Sequence, residues 1–208
     1  LYTIYIGMTL FQIILLLIGR IPLFDTLCIS FGTAGTGGFG IVNDSMGSYS
    51  TYCQVVTTIF MILFGVNFSA YYLLLTKKFV QAFKFEEARY YFGIILAAIL
   101  VIGLNTAHLF RNLGEAFQQA AFQVGSIITT TGFSSTDFSQ WPSLSKTILV
   151  LLMFVGACAG STGGGIKVSL ILILCKAAKK EFQLYLHPNT NKKIKMDEKT
   201  IGHDIIRS

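Results

Sequence analysis

Charged side chains are missing from four long stretches of this chain. Asp, Glu, Lys and Arg are absent from Leu1 to Gly19, from Ser45 to Thr76, from Tyr90 to Phe110 and from Thr147 to Ile166, and after Lys167 the fourth stretch resumes as far as Cys175. A helix crossing about 30 Å of hydrocarbon needs about 20 apolar residues at 1.5 Å each. All four stretches approach or exceed that length. Buried helices of a large soluble protein would look similar, but a chain of 208 residues has little else to bury four of them. The composition agrees: 53% of residues are hydrophobic and 12% charged, against roughly a quarter charged in an average soluble domain. Disorder is excluded, because it needs low hydrophobicity and high net charge. A disulfide scaffold is excluded too, since Cys28, Cys53, Cys158 and Cys175 are few and show no CxxC spacing. The expected class is an all-α integral membrane protein.

The remaining charges sort by side. Lys77, Lys78, Lys84 and Arg89 lie between the second and third spans, and Lys176, Lys179, Lys180, Lys192, Lys193, Lys195 and Lys199 follow the fourth. The opposite connections mix Arg20, Arg111 and Lys146 with Asp25, Asp44, Glu115 and Asp137. The positive-inside rule makes residues 77–89 and the tail cytoplasmic, so both ends of a multi-pass cell-membrane segment face the cytoplasm. The basic tail reads as a solvated segment near anionic lipid. No nucleic-acid partner is expected, because the tail lacks the interleaved aromatics of a single-strand binder. No basic n-region precedes the first span, so a signal peptide fits poorly. The chain begins at Leu1 inside an apolar span, which suggests a piece of something longer.

The organisation repeats at an offset of 94 residues, the interval from Thr36 to Thr130. After the first span come Phe24–Gly35, then Thr36, Gly37, Gly38, Phe39 and Gly40. After the third come Gln118–Thr129, then Thr130, Thr131, Gly132, Phe133 and Ser134. Each unit is a membrane helix, a short helix of about twelve residues, Thr-x-Gly-Phe and a second membrane helix. This divides the chain into a first repeat at 1–76, a cytoplasmic loop at 77–89, a second repeat at 90–175 and a basic tail or linker at 176–208. A twelve-residue apolar segment is too short to span, and irregular backbone at membrane depth is tolerated only where it is buried in protein or lines water. Two glycine-rich extracellular loops are the plainer alternative.

Potassium channels use Thr-Val-Gly-Tyr-Gly, whose carbonyls replace the hydration shell of the ion. Glycine takes left-handed dihedrals without strain, so successive carbonyls can turn toward one axis. Threonine adds a hydroxyl at the inner end, and the aromatic braces the strand from behind. The short helix aims its negative carbonyl end at the same place, which suits a cation. Thr36, Gly37, Gly38 and Phe39, with Thr130, Thr131, Gly132 and Phe133, are the candidate potassium-binding filter.

Three segments extend this match: Ser30–Gly40 (SFGTAGTGGFG), Ile128–Phe133 (ITTTGF) with Trp141 and Pro142, and Gly156–Lys167 (GACAGSTGGGIK) with Leu186, His187, Pro188 and Asn189 downstream. With them the whole chain resembles the Trk/Ktr/HKT superfamily of potassium transporters, most of all the TrkH-type subunits. The resemblance implies four non-identical helix–pore-loop–helix repeats around one pore, of which this chain resembles the second and third. It also implies a homodimer, a cytosolic nucleotide-binding regulatory ring as partner, and K⁺ as the transported ion with no covalently bound cofactor.

The third segment breaks its own span. Glycine costs about 1 kcal/mol per residue in a helix relative to alanine, and Gly156, Gly160, Gly163, Gly164 and Gly165 fall within ten residues. The resemblance implies an intramembrane gate below the filter, formed by Gly160, Ser161, Thr162, Gly163, Gly164 and Gly165 with Lys167. Close helix packing through Gly156 and Gly160 is the alternative. A Walker A loop does not fit, because Ile166 separates Gly165 from Lys167 and Val168 stands at the Ser/Thr position. Relatives commonly carry arginine where this chain has Leu170, so Lys167 either substitutes for it or snorkels to the interface.

Asn67, inside the second span, is expected to make an interhelical hydrogen bond. Asp25 and Glu115 are expected to stabilise the positive ends of the short helices. His108, His187 and His203 show no metal-ligand spacing. No nucleophile and base are arranged together, so no enzyme activity is expected. The expected function is potassium uptake across the cell membrane. A Na⁺-permeable transporter of the same fold and a non-transporting membrane scaffold are the alternatives.

Overall fold

A computed structural model describes residues 2–78, 85–186, 195–196 and 199–200. Lys84, Lys192, Lys193, His187, Pro188, Asn189 and His203 lie outside the described residues. The helices are α1 (Tyr2–Ile18), α2 (Leu23–Ala34), α3 (Thr51–Phe64), α4 (Phe68–Leu75), α5 (Glu86–Thr106), α6 (Leu113–Ile128), α7 (Ser143–Phe154) and α8 (Val168–Leu186). Among the described residues, extended structure is confined to a two-residue antiparallel pair, Lys195–Met196 with Lys199–Thr200, and one bridge between Val155 and Ile166.

Local signals account for the helix starts. Pro22 and Pro142, both near φ −55°, stand immediately before α2 and α7. The Ser50 hydroxyl accepts from the Cys53 amide at the start of α3. Glu86 and Glu87 occupy the first turn of α5, where the helix dipole is positive. The second short helix departs from the expected Gln118 start. It begins at Leu113 and runs for 16 residues, against 12 in α2. Pro22 cuts α2 short, whereas Asn112 in extended conformation lets α6 wind an additional turn.

The second expected span is also not one helix. It breaks at residues 65–67, and α3 and α4 meet at 93°. Gly65 ends α3, and Asn67 restarts the chain by accepting from the Ser69 amide at 2.8 Å. Asn67 therefore caps α4 instead of making the expected interhelical bond. The last four carbonyls of a helix have no partner inside it, and at membrane depth they must find one elsewhere. Here each does. Ile62 O accepts from Tyr91 Oη, Leu63 O from Tyr71 Oη, Phe64 O from Thr162, and Gly65 O from the Cys158 amide. The fourth span is interrupted as the glycine run predicts, with a loop at 155–167 between α7 and α8.

Among the described residues one helix, Glu86–Leu109, is by itself long and apolar enough to cross a membrane. The bent pair α3 and α4 qualifies jointly, and α1 and α7 are shorter apolar helices. Their outward residues, including Leu10, Leu96, Leu104 and Leu151, are exposed, as suits a hydrocarbon surround. Two cores hold the chain together. One gathers Leu16, Ile29, Phe60, Met61 and Phe64 of the first repeat with Phe122 and Phe133 of the second. The other joins Val66 and Ala70 to Tyr91, Ile102, Ile128, Leu149 and Val168. Each core takes residues from both repeats, so the two interlock.

Candidate functional site

The two short helices end through the same three hydrogen bonds. At the end of α2 the Gly35 amide donates to Phe31 O, the Thr36 amide to Thr33 O and the Gly37 amide to Gly32 O. At the end of α6 the Thr129 amide donates to Gly125 O, the Thr130 amide to Ile127 O and the Thr131 amide to Ser126 O. Every donor and acceptor is displaced by the same 94 residues. This is the Schellman reversal, which needs a left-handed residue just past the helix. Glycine usually supplies it. Here Thr36 (φ 51°) and Thr130 (φ 58°) do, and Gly38 (φ 65°) and Gly132 (φ 89°) follow in the same hand. A β-branched residue at positive φ is strained by about 1–3 kcal/mol, and the strain recurs at the equivalent position of both copies.

Beyond the reversal the two segments lie against each other. A Cβ on Gly38 would fall inside the Thr131 carbonyl. The carbonyls of Thr36, Gly37, Gly38, Phe39, Thr130, Thr131 and Gly132 accept no hydrogen bond from the described residues. The Phe133 carbonyl differs: it accepts from Ser126 Oγ at 2.6 Å and is turned toward α6. The Thr131 hydroxyl pairs with that of Thr129 at 2.8 Å. The two aromatics also differ. Phe133 is 1% exposed and packs beside Gly32 of the other repeat, whereas Phe39 is 85% exposed.

The glycine-rich loop sits beneath both segments. Its neck is closed by the Gly156 amide on Ile166 O (2.7 Å) and the Val168 amide on Ala157 O (3.3 Å). The α3–α4 break holds it from the side, through Cys158 to Gly65 O (3.0 Å), Thr162 to Phe64 O, and the Phe68 amide to Gly160 O (3.1 Å). Thr36 and Thr130 hold it from the other side. Thr36 Oγ1 donates to Thr162 O at 3.2 Å, and the Gly164 amide donates to Thr130 Oγ1 at 2.6 Å. Gly160 (φ 69°) and Gly165 (φ 74°) need glycine's freedom. Gly156 is pressed against Gly164 and Gly165 of its own loop, and Gly160 against Asn67, so these glycines serve loop closure more than packing of straight helices. Lys167 Nζ donates to Gly163 O, which directs it into the loop. Leu170 lies in the first turn of α8, 52% exposed.

Sequence reasoning did not single out Glu87. It is 3% exposed, and its Oε1 accepts from the Ala159 amide at 2.6 Å and the Ser169 amide at 3.2 Å. In the sequence it is one of two acids opening a helix, and nothing local marks it as a partner of a loop more than seventy residues away. Asp25 and Glu115 stand in the first turns of α2 and α6, and Asp25 also accepts from Tyr49 Oη at 2.8 Å.

The family model described as TrkH, cation transport protein, matches residues 1–108 and 92–208. The chain belongs to the TrkH family. Among curated relatives, the Trk system potassium uptake protein TrkH of Salmonella typhimurium is 31% identical over 214 residues, which is 100% of this chain and 44% of that one. TrkG of Escherichia coli, named likewise a Trk system potassium uptake protein, is 30% identical over 190 residues, 90% of this chain and 39% of that one. The crystal structure of the potassium transporter TrkH from Vibrio parahaemolyticus superposes with a TM-score of 0.91 at 31% identity, covering 99% of this chain and 45% of that one. This TrkH-family chain thus has the all-α fold of a membrane transporter and spans rather less than half the length of the curated relatives it matches.

Proposed function

We propose that this chain forms half of a potassium-uptake pore. Thr36 to Phe39 and Thr130 to Gly132 supply carbonyls to dehydrated K⁺. Phe133 serves as a brace, since its own carbonyl is held by Ser126. The loop Gly160–Gly165 obstructs the path below, and Lys167 stiffens it through Gly163 O. The remaining two repeats of a four-repeat pore complete the ring and cover the exposed Phe39 as Gly32 covers Phe133. Membrane lipid surrounds the outward leucines, and residues 77–89 and 176–208 face the cytoplasm. There they are available to a cytosolic nucleotide-binding ring, and two such pores assemble as a homodimer.

One observation carries this reading. Two Thr-x-Gly-Phe segments, 94 residues apart, reverse through the same three hydrogen bonds, leave the carbonyls of Thr36 to Phe39 and of Thr130 to Gly132 unbonded by the described residues, and rest on one loop. Packing alone accounts for neither the strained threonines nor the unbonded carbonyls. The test is rescue of a bacterium deficient in K⁺ uptake by the full-length protein, with Rb⁺ and Na⁺ uptake measured in parallel. Growth at low K⁺ and Rb⁺ uptake exceeding Na⁺ uptake are expected, and Gly132→Ser is expected to narrow the ratio. No rescue with normal membrane insertion supports a scaffold. Na⁺ uptake equal to or above Rb⁺ uptake supports the sodium-permeable alternative. An unchanged ratio in Gly132→Ser overturns the filter assignment.

A further inference from the structure

Glu87 holds both feet of the glycine-rich loop with one oxygen atom. Ala159 immediately precedes Gly160, and Ser169 is the second residue of α8, just past the loop. Both amides donate to Glu87 Oε1, at 2.6 and 3.2 Å. A buried carboxylate is costly unless hydrogen bonds and favourable charge surround it. Here it meets two backbone amides and the positive end of the α8 dipole. Bonds to an ionised acceptor are roughly twice as strong as neutral ones, so among the loop's ties to other segments these are the strong pair. The preceding residue reinforces the arrangement. Glu86 pairs with Lys176, seven residues beyond Ser169 on α8, which is the same helix face two turns on. The first turn of α5 therefore grips α8 at two levels, and the inner grip is shared with the loop.

Resting on the gate assignment above, we infer that Glu87 is the positioning residue that couples α8 to the gate. While Ser169 stays on Glu87, Ala159 stays with it and the loop remains seated under Thr36 and Thr130. When α8 draws away from α5, the shared acceptor is disturbed and the loop's first foot is loosened with its last. The stretch between the feet, Gly160–Gly165, whose glycines at 160 and 165 already lie at positive φ, is then freed to move. Lys167 cannot do this, because its bond to Gly163 O is internal to the loop and travels with it.

The experiment compares Glu87→Gln and Glu87→Ala with the unaltered full-length protein in single-channel recordings and ⁸⁶Rb⁺ flux from liposomes. Glu87→Gln keeps the volume and the acceptor atom and removes the charge. Open probability without any activator is expected to rise severalfold in Glu87→Gln and further in Glu87→Ala, with unitary conductance and Rb⁺/Na⁺ ratio unchanged, because the filter bonds are untouched. A cysteine placed at Ser161 is expected to react faster with an aqueous thiol reagent in the Glu87→Gln background. Open probability and reaction rate equal to the parent in a well-inserted Glu87→Gln protein overturn the inference. So does flux that falls only in proportion to protein amount, which assigns Glu87 to folding alone. Failure of the unaltered protein to pass Rb⁺ at all refutes the proposed function instead, so the two failures are distinguishable.

Discussion

The Gly164 amide donates to the hydroxyl of Thr130 at 2.6 Å, so the second Thr-x-Gly-Phe segment and the glycine-rich loop meet at one atom. Thr130 Oγ1 in turn donates to Thr129 O at 2.6 Å. Replacing Thr130 with valine keeps the shape, removes both bonds and leaves a loop amide without its acceptor, a loss of about 1–3 kcal/mol. Serine keeps the hydroxyl. Thr130→Val is expected to lower the thermal midpoint and raise resting Rb⁺ flux, whereas Thr130→Ser stays within about twofold of the parent in flux, since its net hydrogen bonding is unchanged. Equal behaviour of the two variants would mean that the shared atom does not couple filter and loop.

Two glycines at equivalent positions are expected to respond differently to alanine. Gly38 (φ 65°) abuts the Thr131 carbonyl, and a Cβ there has no room without displacing backbone. Gly132 (φ 89°) has open space around its Cβ position, so alanine costs only the left-handed strain, about 1–2 kcal/mol. Gly38→Ala should therefore abolish Rb⁺ uptake or prevent insertion. Gly132→Ala should insert and conduct with reduced discrimination against Na⁺. Membrane protein levels and the Rb⁺/Na⁺ uptake ratio check both, and equal damage at the two sites would show that the 94-residue symmetry, not the packing, governs the cost.

The repeat could be read from sequence because its chemistry is local. A helix end, a threonine and a glycine two places on are all written within eight residues, in register at Thr36 and Thr130, whereas the left-handed turn of the threonines themselves was not legible, since glycine is the residue expected to supply it. The glycine run also betrayed its break, since five glycines cannot sit in a stable helix. The α3–α4 break was hidden for the opposite reason. Gly65, Val66 and Asn67 scarcely lower the hydropathy of the stretch, and hydropathy carries no information on direction. What permits the 93° turn is a set of distant donors, Tyr91, Thr162 and Cys158 among them, that no window along the chain contains. Copying the repeat too literally also misplaced the start of α6, where Asn112 stands and no proline cuts the helix short.

Gln54 ties the two repeats together. It lies in α3 of the first repeat, and its Oε1 accepts from Gln118 and Gln119 of α6 at 3.0 and 3.2 Å. Its Nε2 donates to Met46 O and Tyr49 O at 3.0 and 3.3 Å. Leucine fills the same volume and orphans groups on both sides, each at about 1–3 kcal/mol where buried. Gln54→Leu should lower the thermal midpoint and, by freeing α6 to shift, increase Na⁺ permeability. A destabilised protein with an unaltered Rb⁺/Na⁺ ratio would restrict Gln54 to holding the repeats together.

Tyr49 and Asp25 give the connection between α2 and α3 a pH signature at the alkaline end. Tyr49 Oη donates to Asp25 Oδ2 at 2.8 Å. Burial first, then the bond to Asp25 and the negative charges of Asp25 and Asp44, push the Tyr49 hydroxyl up to about 12 from its ordinary 10. The folded state thus prefers the neutral phenol more strongly than the unfolded state does. That preference stabilises fully below pH 10 and is lost as pH rises from 10 through 12. Tyr49→Phe removes the titrating group. Below pH 10 the variant should melt at a lower temperature than the parent, for want of the bond to Asp25, and the gap should shrink between pH 10 and 12. A gap that stays constant across that window would mean that Tyr49 ionises in the folded protein as freely as in the unfolded chain, and that its contact with Asp25 contributes nothing linked to the proton.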